Sequence, residues 1–505
     1  MKIFWGIALF ALAAFGQESN ADAIFRLIQS GKLAEARTAL DPLLQRNPKA
    51  PMLLSADAFL RAQNADHTGA IASARKALAV NPSLDFARNV LALSLIAKGE
   101  RTEGIQQLEQ LLTRSPGNAG ALRNLGLAYL QAGNLRKGIP ALEKRLRQAP
   151  DDHMVRIDLI GALLQSGRRQ DALRLEAQVP PEPELLESLC TVLNEREEYG
   201  VCAARLKPLR AKGTTSDALE IRWAESLVGL GKVAEANAAL NAIPPSNRGE
   251  SYALVAAWAK AASDDLPGAI QILQSTARQG AASDRVYHAL CLILLRGGAA
   301  QDALDAAAKG LEQWPDSAVL HFSAGMAHEY LEQHVEAQEA LRKSIALDPA
   351  NGLAHYVQAL SQKISGLDWA TVSKSFEAAL TLRSGDALIA SNYAREAARV
   401  EDWILAEKLA RQAAQSTEYM GAAHSILGRA ALARGDFDTA AKYMEIAITH
   451  DPQEYAAAYR LGLEFMRRGE KDKARDYFAK YKEFKSLAEE REQERKVLVR
   501  LTRMQ

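Results

Sequence analysis

Seven prolines limit what this chain can fold into. Pro48, Pro82, Pro116 and Pro150 stand 34 residues apart, and Pro315 and Pro349 repeat that interval. Pro452 lies 103 residues beyond Pro349, three such intervals plus one inserted residue. A fixed period of this length marks a repeated supersecondary unit, one that cannot bury its apolar face alone and must stack on its neighbours. Proline lacks the amide proton and clashes with the preceding helical turn, so it closes a helix and does not continue one. Composition agrees with helices. Much of the 48% hydrophobic fraction is alanine, aromatics are 6%, and 24% charged residues is ordinary for a folded chain. An all-β, collagen-like or largely disordered chain is excluded. The formal charge of +1 gives no electrostatic case for nucleic acid.

Between the prolines the same grammar returns. Ala119 to Pro150 carries Leu122, Leu125-Gly126, Tyr129, Gly133 and Leu142; later copies carry Leu427-Gly428, Gly435, Ala440 and Met444, then Leu461-Gly462, Phe465, Gly469, Ala474 and Phe478. Large residues at repeat positions 4, 7, 11 and 24 fill the space between helices. Small residues meet at positions 8 and 20, as in Ala92/Gly104, Ala224/Ala236, Ala257/Ala269, Gly325/Ala337 and Ala394/Ala406. This pattern resembles the tetratricopeptide repeat family. The resemblance implies an all-α solenoid of about 14 helix-turn-helix units forming a right-handed superhelix. The expected organisation is a signal segment 1–16, repeats over 17–150, degenerate repeats over 151–280, repeats over 281–486, and a capping helix over 487–505. The prolines at 180, 181 and 183 mark the place where a break in the array is to be looked for.

Lys2, the apolar run Ile3 to Phe15 and the small residues Ala14 and Gly16 read as a secretory signal cleaved after Gly16. No cysteine follows the run, so no lipid anchor is expected there. No later segment reaches 18 uninterrupted apolar residues, so the mature chain is expected to carry no transmembrane segment and to act outside the cytoplasm, in a bacterial periplasm.

No catalytic motif appears: no glycine-rich phosphate loop, no GxSxG elbow, no HExxH pair and no paired CxxC. His328-Glu329 begins a zinc motif that Glu332 fails to complete. His321 and His328 fall at packing positions 4 and 11, so no cofactor, metal or catalytic residue is assigned. A hydrolase or metal-dependent enzyme using the His321/His328 region is the alternative, and a self-assembling structural array is a third reading.

The resemblance places function on the inner groove, at first-helix positions 2, 5, 9, 12 and 13. These hold Phe59, Phe86, Leu93, Ile96, Arg123, Leu127, Leu130, Met154, Ile157 and Leu164 in the N-terminal half. In the C-terminal half they hold Arg285, His288, Arg296, Arg395, Arg399, Arg429, Tyr459 and Arg467. An apolar end and a cationic end suit an extended peptide or helix of another protein. The chaperone-tail clamp of cytosolic relatives is not expected, because Asn89, Leu93, Arg123 and Leu127 stand at its positions. Cys190 and Cys202 fall at positions 8 and 20, where helices approach most closely, and a disulfide between them is expected.

Overall fold

The computed structural model describes residues 20–279 and 282–486. The expected signal segment and the 487–505 cap lie outside the described residues. Twenty-seven α-helices run from Asn20 to Arg467, a further helical stretch covers 471–486, and no strand occurs among the described residues. None of the described helices is long and apolar enough to cross a membrane.

The helices pair, and the turn within each pair is marked by one residue in the left-handed region. These residues are Gly31, Ala65, Gly99, Gly133, Gly167, Glu197, Gly231, Asp264, Gly298, Glu332, Gly366, Glu401, Gly435 and Gly469. Fourteen marks mean fourteen pairs, as the period implies. The turn after helix Ala119–Gln131 shows why the conformation recurs. Gly133 N donates to Leu130 O and Asn134 N donates to Tyr129 O, which satisfies carbonyls the helix end would leave unpaired. Pairs then end where the sequence says they should: helices finish at Arg46, Val80, Arg114, Gln148, Gln313, Leu347 and His450, each two residues before a period proline.

Five of the fourteen turns place a side chain where glycine is least strained. A left-handed conformation costs an ordinary residue about 1–2 kcal/mol. Ala65, at φ 60°, has no polar side chain to compensate. Ala65→Gly therefore raises stability by roughly 0.5–1 kcal/mol after the entropy of the more flexible unfolded chain is deducted. Urea midpoints of the two proteins check this, and a lower midpoint for the variant would contradict it.

The chain divides into two compact units, Met1–Asn351 and Gly352–Gln505. Among the described residues unit 1 holds ten helix pairs and unit 2 holds four. In both, first helices line up beside one another with second helices packed behind. Helix Asp85–Ala97 shows the burial this requires: Ala87, Val90, Leu91, Ala92, Leu93 and Leu95 all sit in the core. The degenerate stretch keeps the same plan with fewer residues. Between the left-handed turns at 167 and 197 the interval falls to 30 residues, and helix Arg169–Glu176 is only eight residues long. The proline-rich connection does not interrupt packing. Val179 is buried in one continuous cluster that runs from Leu135 through Leu186, Leu189 and Leu193 to Leu219. Unit 1 also carries a contact beyond nearest neighbours: Arg101 Nη2 donates to Leu347 O at 3.0 Å, joining the third pair to the tenth.

Candidate protein-binding surface

The first helices carry most of the residues expected to line a groove, so their mutual contacts decide which of them are free. One contact recurs. The side chain at position 5 of one repeat reaches position 6 of the next: Asn124 Nδ2 to Asn89 Oδ1 at 2.9 Å, Arg123 Nη2 to Asp158 Oδ2 at 3.1 Å, His288 Nδ1 to Ser323 Oγ at 2.7 Å, and Asn392 Nδ2 to the Tyr356 hydroxyl at 2.9 Å. The spacing of 35 or 36 residues is one period plus one. Adjacent first helices run side by side, and this offset places the two side chains opposite each other. Arg123 and His288 are thereby engaged in holding neighbours together. Desolvation pushes the His288 imidazole down to about 4, so it is neutral near pH 7.

In the N-terminal half the apolar candidates belong to the core. Phe59 is 2% exposed, Leu93 7% and Ile157 2%. Phe86 packs its ring against both Phe25 and Phe59 at 5.2 and 5.7 Å. Ile96 and Leu130 are half-buried and lie over Gly104 and Gly138, filling the space those glycines leave. Met154 and Leu164 pack against the Leu135–Leu219 cluster, and Leu127 is half-buried. A stripe buried this far is consumed by repeat stacking.

The cationic candidates separate into paired and unpaired groups. Arg399 Nε bonds Glu396 at 2.8 Å, Arg467 Nη1 bonds Glu464 at 2.5 Å, and Arg296 lies 3.9 Å from Asp264. Glu396 is itself buried. Burial works against its charge, but bonds from Lys363 at 2.7 Å and from Arg399 outweigh that and hold its carboxyl below the usual range. Arg285 and Arg395 are exposed and make no ion pair among the described residues. Arg429 is half-buried; its guanidinium donates to Ala398 O at 3.1 Å and lies 5.5 Å from the centre of the Trp403 ring. Burial first, and the charge of Arg460 second, push the Arg429 pKa down. Arg460, on helix Tyr455–Arg467, is half-buried without a carboxylate partner. It stands at position 6, outside the positions that sequence reasoning inspected and next to the inspected Tyr459 at position 5. Tyr459 remains 43% exposed, with its ring packed on Phe478 and Tyr481 at 5.8 and 5.1 Å.

Unit 2 thus presents Arg395, Arg429 and Arg460 on three successive first helices with no carboxylate among the described residues bonded to any of them. Exposed apolar side chains lie on the same helices and the one before: Leu353 and Leu388 at 38%. The remaining candidates do not converge. His321 Nε2 meets Pro315 O at 3.0 Å, His328 Nδ1 meets Gln333 Oε1 at 2.7 Å, and His334 Nδ1 meets Glu329 at 3.1 Å, so each ring has its own local partner. Among the described residues no group of three His, Cys, Asp or Glu is placed to hold a metal ion. Cys190, Cys202 and Cys291 are fully buried free thiols.

Family models described as Tetratricopeptide repeat match residues 8–181, 318–351 and 427–488. No curated protein matches the chain. Among solved structures, the APC/C hetero-tetramer Cut9-Hcn1 is similar at 14% identity, over 93% of this chain and 88% of that one, with a TM-score of 0.48. MamA 41-end from Desulfovibrio magneticus RS-1 is similar at 21% identity over 32% of this chain and 94% of that one, with a TM-score of 0.29. The MamA RS-1 ArsTM double mutant is similar at 21% identity over 32% and 93%, with a TM-score of 0.28.

Proposed function

The chain belongs to the tetratricopeptide repeat family, and on that premise we propose that it is a non-enzymatic scaffold of the cell envelope. In this reading the first-helix face of unit 2 receives an acidic segment of a partner protein. The observation that carries it is the set of three arginines, Arg395, Arg429 and Arg460, held on three successive first helices with no carboxylate bonded to them among the described residues. Two of them are half-buried, and burial together with the charge of Arg460 outweighs the opposing charge of Glu454 and lowers the Arg429 pKa, a setting that favours an added anion. Leu353 and Leu388 add apolar area beside it, so the favoured segment alternates acidic and apolar side chains. The segment 1–16 supports placement outside the cytoplasm, and sequencing the N-terminus of the protein recovered from its native host tests that part separately.

A fluorescent peptide of glutamate and leucine serves as the probe. Its binding weakens at least tenfold when Arg395, Arg429 and Arg460 are all changed to glutamate, and weakens with rising salt, since partly exposed charges are screened over about 8–10 Å. Arg399→Gln, which removes an arginine already paired with Glu396, leaves binding within about twofold. Equal binding by the triple variant and the parent would place the partner elsewhere. Melting curves of all three proteins distinguish lost binding from lost fold.

A further inference from the structure

The two cysteines of one helix pair carry an inference that does not depend on any partner. Helix Pro183–Glu195 holds Cys190 and helix Tyr199–Ala211 holds Cys202, both 0% exposed. They occupy repeat positions 8 and 20. Other repeats show how close those positions come. A Cβ added at Gly325 would lie 3.4 Å from Ala337 O, and one added at Gly428 would lie 3.3 Å from Ala440 O. At the same place Cys190 Sγ lies 4.0 Å from Cys202 O. That bond joins the Cys190 thiol to the backbone of the facing cysteine, and the interaction with Cys202, ahead of burial, raises the Cys190 pKa. Cys291 offers the internal comparison. It holds the same position 8 and makes the same kind of bond, its thiol donating to the Ala303 carbonyl at 3.2 Å, but the facing residue carries no sulfur. Only the 190/202 pair places two sulfurs across the closest approach of a helix pair.

We propose that Cys190 and Cys202 are a redox pair that forms an intramolecular disulfide by exchange with a disulfide-bearing oxidant. One cysteine, as thiolate, attacks the oxidant's S–S bond and releases one thiol; the second then attacks the resulting mixed disulfide and releases the other. One S–S bond breaks and one forms. The two cysteine protons and two electrons leave on the two thiols of the reduced oxidant. Both sulfurs are out of solvent in the closed pair, so exchange takes place before this hairpin closes or during its local opening. Once formed, the bond is shielded from reductants by the same packing.

The test refolds the full chain from denaturant in a buffer of oxidised and reduced glutathione, quenches with acid and counts thiols on the denatured product. The proposal expects the count to fall from three to one, with peptide mapping assigning the free thiol to Cys291 and a 190–202 cross-link lighter by two hydrogen atoms. Cys291→Ser keeps the cross-link and leaves no free thiol. Cys202→Ala, which restores the alanine common at this position, folds and keeps two free thiols. Three thiols in the refolded parent, a lasting glutathione adduct at 190 or 202, or a bridge that uses Cys291 would overturn the proposal.

Discussion

Asp57→Ala lowers the stability of unit 1 by about 3 kcal/mol, the low end of what breaking a buried ion pair costs. Asp57 sits at position 7, where other repeats place Leu91, Leu125 and Leu159, and its side chain is 3% exposed. It joins three helices. Arg37 Nη1 donates to it from helix Leu33–Arg46 at 2.6 Å, Arg61 Nε from its own helix at 2.8 Å, and Ser73 Oγ from helix His67–Val80 at 2.5 Å. Removing the carboxylate strands all three donors. The cost stays near the low end because the arginine side chains are 28% and 41% exposed and can recover water. The same site sets an acid limit. Burial opposes the Asp57 charge, but the bonds from Ser73, Arg37 and Arg61 prevail and its pKa lies below 3.8. A depressed folded pKa stabilises the fold at pH above the unfolded value, and that contribution disappears as pH falls through 3.8 towards the folded value. Urea unfolding at pH 7 and at pH 3 measures both effects: the parent loses part of its advantage over the variant at the lower pH. A variant as stable as the parent at pH 7 would mean that Asp57 holds nothing together.

Gly104→Val costs 3 kcal/mol or more, at or above the upper end of ordinary overpacking, roughly 1–3 kcal/mol. A Cβ at Gly104 would lie 2.7 Å from Ala92 O and 2.6 Å from Ile96 Cγ1. The first of these is backbone and cannot rotate away. The valine must push helix Arg101–Arg114 off helix Asp85–Ala97, and with it the packing of the pairs on either side. Gly99, five residues earlier, makes the contrast. Nothing lies within 4 Å of its β position, but its φ is +90°, so Gly99→Ala is limited to the backbone strain of about 1–2 kcal/mol. Chemical denaturation of the three proteins should rank parent, Gly99→Ala, Gly104→Val in falling stability. Finding the two variants equal would remove close approach as the reason for the small residues at positions 8 and 20.

The repeat architecture was legible because its signals lie close together along the chain. Fourteen units, the helix ends before each proline and the small-residue pairs all follow from residues within one 34-residue period. The candidate surface was only partly legible. Position in the repeat identified Arg395 and Arg429. It could not show that Arg399 and Arg467 are neutralised by Glu396 and Glu464 one turn away on their own helices, since whether a charge is free depends on side-chain geometry. Nor could it show that Phe59, Leu93 and Ile157 are buried by neighbouring repeats. Arg460 was missed because it stands one place off the inspected positions.

Local sequence pattern settled the fold class and the approximate count of helix pairs, because a periodic pattern makes every unit specify itself from local propensity and its nearest neighbours. Tertiary structure alone decided the rest. The polar links between positions 5 and 6 join residues one period plus one apart. The Asp57 cluster draws on Arg37, Arg61 and Ser73 from three helices. The chain divides between Asn351 and Gly352. Arg101 reaches Leu347, 246 residues later. The first two depend on side-chain geometry between adjacent helices, and the Arg101 contact on small angles between successive pairs summed over many repeats; no single period of sequence contains either.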